Sequence, residues 1–510
     1  MSETSPISVT STPTDASSIE SDESNRCGAA LRGKVGSDAL RKVLVVIANH
    51  GTKNQRFLER LLAEYRSMEY YDVDIVVLSN IPKDLGPDVD VKVGFPTKDP
   101  WSLPFGYKEL LAKHATEYDL FIYTEDDTLI TERNIEAFEK ETMVLPEEYI
   151  AGFLRYEVFP DGRRAYPDMH SHFHWDVNSV VRFGNSLFAY HTNEHSACFI
   201  LTQGQLRKAI NSGGFMLPPR IGRYDMLVTA ATEPYTGCGM KKLICISRLD
   251  DFSLHHLPNV YLGILGLDEA IGKLEVERLI SLASCKTELP PGPLFEPYPL
   301  RDSDRWNKQY YEAQRDDVMD LVPRDARSVL SIGCGCGNTE AVLVNRGIRV
   351  TGIPLDAIVS AVVETRGIEI LPPDFELASK KLEGRQFDCI LILDILQQVR
   401  NPVSIMNTYR GFLRDGGAII VSVPNWNYYG TLRQRLTVRG RAGLECRATA
   451  RSEGVHRTSK TRVTGWLYES GFRRFKHGGT PGPRLEKISR WTFGLADGVL
   501  CRNIVISARR

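Results

Sequence analysis

Residues 328–337 read Ser-Val-Leu-Ser-Ile-Gly-Cys-Gly-Cys-Gly, an apolar run that passes directly into alternating glycines. Because glycine lacks a Cβ, this pattern lets the backbone approach a ligand closely at a turn from a strand into a helix. Strand-like runs follow at 349–353 and 387–394, and a turn with a further strand follows at 413–425. The order of these runs predicts an open α/β sheet with its ligand site at the carboxyl ends of the strands.

This ordered set of motifs resembles class I S-adenosylmethionine-dependent methyltransferases over about residues 305–510. The resemblance implies a seven-stranded sheet, S-adenosylmethionine as the cofactor and methyl transfer as the reaction. It places the methionine part and the adenine of the cofactor on four positions of this sequence. These positions are Gly333, Gly335, Gly337 and Asp374.

The sequence departs from that family in two places. Pro354 stands where an acid usually ends the second strand and holds both ribose hydroxyls. The run 396–399 carries Gln397 and Gln398 where many relatives carry Glu-His, and glutamine is not a general base. His456 resembles a late histidine of the family and is the remaining polar candidate on the acceptor side. An inactive methyltransferase-like domain is therefore an alternative to an active one.

The first half of the chain contains a different motif, three consecutive carboxylates after the β-type run 119–123. These are Glu125, Asp126 and Asp127. Neighbouring carboxylates raise one another's pKa, and a bound cation relieves their repulsion. Mg²⁺ and Mn²⁺ take oxygen ligands of this kind and often share them with substrate phosphates. A solvated acidic turn at the end of a strand is the alternative interpretation.

Two earlier strands support the metal interpretation. Continuous apolar runs at 43–48 and 73–78 are typical of strands buried on both faces, and a helical pattern lies between them. Asn49 and Asn80 follow these two strands, where a nucleotide binds in such sheets. The third strand ends at the acidic motif and therefore brings it to the same edge.

This arrangement resembles nucleotide-sugar glycosyltransferases of the GT-A fold (family-2-like) over about residues 40–275, with Glu-Asp-Asp as the acidic motif. The resemblance implies Mn²⁺ or Mg²⁺ bound by Asp127 with Asp126, and Glu125 nearer the ribose or the metal. It also implies a late histidine ligand, and the sequence leaves open whether this is His255 or His256.

A base for the acceptor hydroxyl is also needed if the transferase is inverting. Two acids between the metal-site elements are candidates for this base, Asp225 and Glu233. The structural alternatives for these two acids are a helix cap and a turn.

The predicted fold class is α/β with two Rossmann-like domains. The Ser-, Thr- and Pro-rich segment 1–38 is predicted to be disordered, because it has too few large apolar residues to offset the entropy of ordering. Residues 39–285 form the GT-A-like domain, 286–304 a proline-rich linker and 305–510 the methyltransferase-like domain.

Composition narrows the class of function. The 510 residues include 25% charged residues at a formal net charge of -1, so no overall field indicates a nucleic-acid partner. The start of the chain lacks the basic and apolar regions of a secretory signal, which predicts a cytoplasmic enzyme. The expected partners are a nucleotide-sugar and a glycan or glycoconjugate acceptor, and a lipid-linked acceptor at a membrane surface is left open.

The predicted function is glycan assembly by sugar transfer followed by methylation of the glycan or its precursor. One alternative is a glycosyltransferase with an inactive methyltransferase-like scaffold. Another is a methyltransferase whose first domain only binds a sugar nucleotide.

Overall fold

The structure is a computed structural model that describes residues 40–284, 292–295, 307–430, 432, 456–479, 481, 485, 491 and 497–510. The predicted tail at 1–38 and most of the predicted linker at 286–304 lie outside these ranges. The described residues form four β-sheets with helices packed against them, which confirms the predicted α/β class. We refer to residues 40–284 as the first domain and to residues 307–510 as the second domain.

The first domain contains fourteen of the described strands. They are β1 (Arg41–Asn49), β2 (Tyr71–Ser79), β3 (Val89–Val93), β4 (Leu120–Glu125), β5 (Thr128–Leu129), β6 (Tyr149–Ala151), β7 (Leu154–Val158), β8 (Arg164–Tyr166), β9 (Val181–Phe183), β10 (Ser186–Ala189), β11 (Cys198–Thr202), β12 (Lys241–Cys245), β13 (Ser253–His256) and β14 (Leu267–Asp268). Its helices are α1 (Gln55–Arg66), α2 (Tyr107–Lys113), α3 (Glu132–Thr142), α4 (Gln203–Asn211), α5 (Met226–Thr236) and α6 (Glu269–Ser284).

The main sheet of the first domain has the order β11-β4-β1-β2-β3, with β11 antiparallel to β4 and the other pairs parallel. Helices cover the sheet, so residues 43–47 of the central strand β1 are almost fully buried. Burial on both faces explains why this strand is a continuous apolar run. The three predicted parallel strands are confirmed.

Two smaller sheets complete the first domain, with the orders β6-β12-β10-β9 and β14-β8-β7-β13-β5. The short strand β5 follows the acidic motif directly and pairs antiparallel with β13. His256 lies opposite Thr128 in this pairing. His256, which lies 128 positions after Thr128, is thereby brought beside the acidic motif.

The second domain contains a single seven-stranded sheet within the residues that the structure describes. Its strands are β15 (Ser328–Cys334), β16 (Arg349–Pro354), β17 (Glu369–Ile370), β18 (Phe387–Leu393), β19 (Leu413–Pro424), β20 (Arg474–Gly478) and β21 (Asn503–Arg509). Its helices are α7 (Asp316–Met319), α8 (Asn338–Asn345), α9 (Val359–Glu364), α10 (Phe375–Lys381), α11 (Pro402–Arg410), α12 (Lys460–Glu469) and α13 (Asp497–Leu500).

The order of this sheet is β17-β16-β15-β18-β19-β21-β20, and β21 runs antiparallel to both of its neighbours. The strand order reverses beside β15, between β16 and β18. In open α/β sheets a ligand binds at this point of reversal, beyond the carboxyl ends of the strands. The glycine run therefore lies where the sequence predicted.

The two domains contact each other through backbone pairing, ring stacking and a hydrogen bond. Ser171 and Tyr311 form an isolated β-bridge between them. The ring of His174 stacks on the ring of Tyr310 at a centroid distance of 4.0 Å. The Arg278 Nε donates a hydrogen bond of 3.1 Å to the Ala357 carbonyl. No helix in the described part of the chain is long and apolar enough to cross a bilayer.

One buried carboxyl at this junction makes stability depend on pH. The Tyr311 hydroxyl donates to Glu275 at 2.8 Å, and burial raises the pKa of Glu275 from 4.5 to about 8. Between these two values the folded chain keeps a proton that the unfolded chain releases. The free energy of unfolding therefore falls as the pH rises from 4.5 towards 8, by about 1.4 kcal/mol for each pH unit in that range.

We expect Glu275→Gln to remove most of this slope and to be more stable than wild type at pH 8. Urea unfolding at several pH values measures the effect. Glu277→Gln, exposed on the same helix, is the matched control and should keep the wild-type slope. Equal slopes for wild type and Glu275→Gln would contradict the assignment.

Candidate functional site

A cleft of about 460 Å³ opens at the carboxyl ends of the main strands of the first domain. Its lining includes the whole acidic motif together with a lysine, an asparagine and a tryptophan. These lining residues are His50, Lys53, Asn54, Trp101, Glu125, Asp126 and Asp127. The cleft therefore combines acids for a cation with a cationic side chain for an anion.

Asp126 is held in place by two amide groups. The Asn49 Nδ2 donates to Asp126 Oδ2 at 2.6 Å, and the Asn54 Nδ2 donates to Asp126 Oδ1 at 2.7 Å. Asn54 also donates to Asp127 at 3.2 Å. Asn49 was predicted to contact a nucleotide, whereas the structure shows it positioning the acidic motif. Asn54 was missed, because it precedes α1 and nothing in the local sequence points to the acids.

Asn80 has a related role at the end of β2. Its side-chain oxygen accepts a hydrogen bond of 2.7 Å from the Gly51 amide. Gly51 lies in the turn between β1 and α1, so Asn80 holds the loop that carries Lys53 and Asn54. The structure places Asn80 beside the predicted nucleotide site as a support of its loop.

The acids of the cleft repel one another. Burial, with a contribution from Asp127, raises the pKa of Glu125 to about 8. Burial also raises the pKa of Asp126 to about 6, although the amides of Asn54 and Asn49 oppose this shift. Arg155 lies near Glu125 and lowers its pKa, but its own guanidinium is already paired with Asp168 at 2.7 Å. The negative charge of these acids is therefore not fully neutralised by neighbouring cationic side chains.

Asp127 is the acid with free coordination capacity. Its Oδ1 is buried and has no hydrogen-bond partner among the described residues. Its Oδ2 lies 3.7 Å from the Nε2 of His256. The opposite ring nitrogen of His256 is 2.6 Å from Glu157 Oε1, so Glu157 directs Nε2 towards Asp127. These groups fit one face of a divalent cation, because oxygen and imidazole ligands suit Mn²⁺.

The structure decides between the two late histidines. His255 points to the opposite side of β13, where it stacks on Tyr156 at 5.0 Å and lies 3.4 Å from Asn259. Of the two alternatives that the sequence left open, His256 therefore faces Asp127 and His255 does not, since neighbours on a strand face opposite ways. Within the described ranges, no three His, Cys, Asp or Glu side chains form a metal-binding group. The remaining ligands of a cation would have to come from substrate or water.

The two candidate bases have different positions. Asp225 is exposed at the start of α5, where its carboxylate accepts a hydrogen bond of 3.0 Å from the Val228 amide. Asp225 is close enough to raise the pKa of Glu125, so it stays a candidate beside the cleft. Glu233 is fully buried and paired with Lys108 at 2.9 Å and with Arg220. The prediction of Glu233 as a base is corrected, because a buried carboxylate with two cationic partners cannot reach an acceptor.

Trp101 and Glu157 are further residues that the sequence analysis missed. Trp101 is 58% exposed and lines the cleft, where an aromatic face can stack on a nucleotide base. Glu157 lies almost a hundred residues before His256, and only the pairing of β7 with β13 brings them together. No local sequence signal identifies either residue.

If His256 is a metal ligand, Glu157→Gln is expected to weaken Mn²⁺ binding by about tenfold or more, since loss of an outer partner of a metal ligand costs about 10–100-fold. The affinity is measured by titrating the full chain with Mn²⁺ and recording the electron paramagnetic resonance signal of the ion. Glu148→Gln, an exposed change in the same domain, is the control. Unchanged Mn²⁺ affinity in Glu157→Gln would show that His256 needs no such support.

The glycine run forms the turn between β15 and α8. Gly333 and Gly337 adopt positive φ values of 73° and 77°, which glycine adopts without strain. Gly335 is needed for another reason, because a Cβ there would lie 2.3 Å from the Tyr310 carbonyl oxygen. That carbonyl accepts a hydrogen bond of 2.7 Å from the Cys336 amide. The group that approaches the glycine turn closely is therefore the Tyr310 carbonyl of the same chain.

Other groups close the same region. The Leu294 amide donates to the Leu355 carbonyl at 2.7 Å, which places a linker residue beside the end of β16. The Ile395 side chain approaches the position of a Cβ on Gly333 to 2.7 Å. The residues around the predicted cofactor position are almost fully buried. They are Leu294, Tyr310, Cys334, Cys336, Ile353, Leu355, Asp356, Ile395 and Leu396.

Three acids that follow strands of this sheet have structural partners, and one of them, Asp374, was predicted to lie near the adenine. Asp374 caps α10 by accepting from the Leu377 amide at 2.7 Å. Asp356 accepts from the Ile358 and Val359 amides at 2.8 Å, just before α9. Asp394 pairs with Arg315 at 2.5 Å and has a positive φ of 56°. Such backbone strain at the end of a central strand is frequent at functional sites.

On the acceptor side, the His456 Nε2 lies 3.1 Å from the Val399 carbonyl, and Gln398 Nε2 lies 3.4 Å from Asn307 Oδ1. Since a carbonyl only accepts, the first contact requires a proton on Nε2 of His456. Burial lowers the pKa of His456, which favours the neutral ring. Its Nδ1 is then a proton acceptor.

Residues 313–446 match the family described as "MetW: Methionine biosynthesis protein MetW". The chain is also similar to ubiquinone biosynthesis O-methyltransferases. That of Paracidovorax citrulli (strain AAC00-1) is 27% identical over 113 residues, which are 21% of this chain and 48% of that protein. That of Marinobacter nauticus is 28% identical over 142 residues, 26% of this chain and 57% of that protein. The chain spans about half the length of these relatives.

Solved structures with similar parts include a SAM-dependent methyltransferase from Archaeoglobus fulgidus. It is 14% identical, covers 38% of this chain and 90% of its own, and has a TM-score of 0.28. Human N-acetylserotonin methyltransferase in complex with SAM is 16% identical, covers 36% of this chain and 48% of its own, and has a TM-score of 0.25. The sequence matches support a class I methyltransferase-like domain. None of the proteins named here is described as a glycosyltransferase.

Proposed function

We propose that the second domain is an S-adenosylmethionine-dependent methyltransferase. The observation that carries this proposal is the glycine turn at the reversal point of the seven-stranded sheet, formed by Gly333 and Gly337 in left-handed conformations. The similarity to named O-methyltransferases supports an oxygen as the methylated atom. When bound, S-adenosylmethionine supplies an electrophilic methyl group on its sulfonium.

The fit of the cofactor to the present residues is incomplete. Gly333, Gly337 and Asp374 are the residues that we propose to hold it. Tyr310 covers Gly335, however, and Pro354 provides no acid for the ribose. We therefore propose that the segment carrying Tyr310 moves aside when the cofactor enters. In the acceptor step, Nδ1 of His456 would take the proton of the acceptor hydroxyl, because Gln398 cannot.

Calorimetry of the full chain with S-adenosylmethionine tests this proposal. We expect saturable binding that weakens when Gly333 is changed to valine, since a side chain there meets Ile395. Thermal unfolding of the Gly333→Val variant shows whether it still folds. Absence of binding at millimolar cofactor, in wild type and in a variant with Tyr310 removed, would overturn the proposal and favour a scaffold role.

A second activity is favoured by the acidic cleft of the first domain. We propose that the cleft binds a nucleotide-sugar with Mn²⁺ or Mg²⁺ and transfers the sugar to a glycan or glycoconjugate. Asp127 Oδ1, which has no hydrogen-bond partner in the described part of the chain, lies in an acid-rich cleft and supports this proposal. Asp127 and His256 would hold the metal, Lys53 would contact phosphate, and Trp101 would stack on the base. The metal would neutralise charge on the leaving diphosphate.

Together the two proposals describe sequential transfer of a sugar and a methyl group to one glycan or its precursor. A screen of nucleotide-sugars for Mn²⁺-dependent hydrolysis by the full chain identifies the donor. If no donor is hydrolysed while S-adenosylmethionine binds, the first domain only binds a ligand, as in one of the alternatives above.

A further inference from the structure

A second cavity, of about 550 Å³, lies at the edge of the seven-stranded sheet. Its walls are residues 320–324, which precede β15, and the edge strands β20 and β21. Arg509 pairs with Ala418 near the start of β19, so the cavity lies at the amino ends of the parallel strands. The glycine turn lies at the opposite, carboxyl ends. This basic cavity is therefore separate from both sites described above.

Strand register gathers the basic residues of this cavity on one face. Arg474 lies directly opposite Arg509, and Lys476 lies directly opposite Ser507. Residues two apart on a strand point to the same side, so all four side chains share one face of the sheet. Phe475 points to the other face, where it packs against the core. On β20 the cationic residues Arg474 and Lys476 alternate with Phe475, and Arg509 of β21 lies on the same face as these two cations.

A fourth cation, Arg324, enters the cavity from the loop before β15. Among the described residues that line the cavity, Asp320 is the only acid, so these residues carry four positive charges and one negative charge, a net charge of +3. None of the four cations has an ion pair with another residue that the structure describes. Other exposed arginines of the domain do have such partners. Arg385 pairs with Glu369 at 2.6 Å, and Arg414 pairs with Asp388 at 2.7 Å.

The four cationic side chains of the cavity repel one another, and a bound group of negative charge would offset this repulsion. Like charges directly opposite each other on neighbouring strands are destabilising, as for Arg474 and Arg509. Guanidinium groups bind phosphate with two parallel hydrogen bonds, and a bound anion would remove the repulsion. Ser507 is only 7% exposed, and its hydroxyl is a further donor at the base of the cavity.

We propose that the basic cavity binds a phosphate or diphosphate group. Arg474 and Arg509 would clasp the group from the two strands, with Lys476 and Arg324 at the rim. A soluble phosphorylated compound and a phospholipid headgroup both present this group, and the experiment below distinguishes them. This site does not depend on the activities proposed for the other two.

Calorimetry of the full chain with inorganic pyrophosphate tests the proposal. A chelator is present, so that metal-bound pyrophosphate does not form at the acidic cleft. We expect saturable binding that weakens by about tenfold or more in Arg474→Gln/Arg509→Gln, because each charged hydrogen bond contributes strongly. Pyrophosphate should also raise the melting temperature of wild type and leave that of the double variant unchanged.

Arg414→Gln is the matched control, because Arg414 is an exposed arginine of the same sheet that already has a partner. It should bind pyrophosphate as wild type does. A flotation assay with vesicles of phosphatidylcholine and phosphatidylserine distinguishes the two sources of phosphate: vesicle binding lost in the double variant indicates a headgroup. Absence of both pyrophosphate and vesicle binding in wild type, or equal losses in Arg414→Gln and the double variant, would overturn the proposal.

Discussion

The Asp127→Asn variant is expected to lose Mn²⁺ affinity by more than about a hundredfold. Loss of an outer partner of a metal ligand already costs about 10–100-fold, and Asp127 is proposed as a direct ligand. Its Oδ1 is buried and accepts no hydrogen bond from the residues that the structure describes, so it can coordinate a cation without first breaking one. Mn²⁺-dependent hydrolysis of the nucleotide-sugar should disappear together with metal binding.

The same change should not unfold the first domain. Asp127 contributes to the raised pKa values of Glu125 and Asp126, so removing its charge relieves repulsion in the metal-free chain. Electron paramagnetic resonance measures Mn²⁺ binding, and thermal unfolding measures stability. Asp90→Asn, an exposed change on β3, is the control and should behave as wild type. Wild-type Mn²⁺ affinity in Asp127→Asn would remove the basis of the proposed metal site.

The Tyr310→Ala variant is expected to bind S-adenosylmethionine about tenfold more tightly than wild type. The Tyr310 ring stacks on His174 of the first domain with an angle of 5° between the ring planes. This contact helps to hold the Tyr310 carbonyl against Gly335 and the Cys336 amide. If cofactor binds only when this segment has moved, the apparent dissociation constant equals the intrinsic one divided by the open fraction. Removing the ring raises that fraction.

Two further variants separate the ring from the hydroxyl and test the other side of the contact. Tyr310→Phe keeps the ring and should bind the cofactor nearly as wild type does. His174→Ala removes the stacking partner in the first domain and should change affinity in the same direction as Tyr310→Ala. Calorimetry of the full chains measures all three. Weaker binding in Tyr310→Ala would instead show that Tyr310 supports the cofactor site.

Several features of both domains were predictable because they depend on neighbours in the chain. A strand buried on both faces must be apolar at every position, so the runs at 43–48 and 328–332 identify central strands. Alternating glycines predict a turn with positive φ, as at Gly333 and Gly337. The acidic motif was likewise placed correctly at the end of β4.

The assignments that the structure contradicts, and those that the sequence left open or missed, concern partners that are distant in sequence. A glutamate can act as a catalytic base, but Glu233 forms ion pairs with Lys108 and Arg220 in the folded chain. His255 and His256 are equivalent in sequence, and the pairing of β13 with β5 and β7 decides which one faces Asp127. Asn54, Trp101 and Glu157 could not be selected, since many asparagines, tryptophans and glutamates occur in loops and strands without such roles.

By itself, the sequence determined the α/β class, the central strands and the two motifs from which the sites are built. These features follow from local backbone preference and from the periodic burial of side chains. The tertiary structure alone decided that Tyr310 covers the glycine turn, that His256 rather than His255 faces Asp127, and that four cations share one cavity. Each of these depends on contacts between segments far apart in the chain, whose geometry no local pattern encodes.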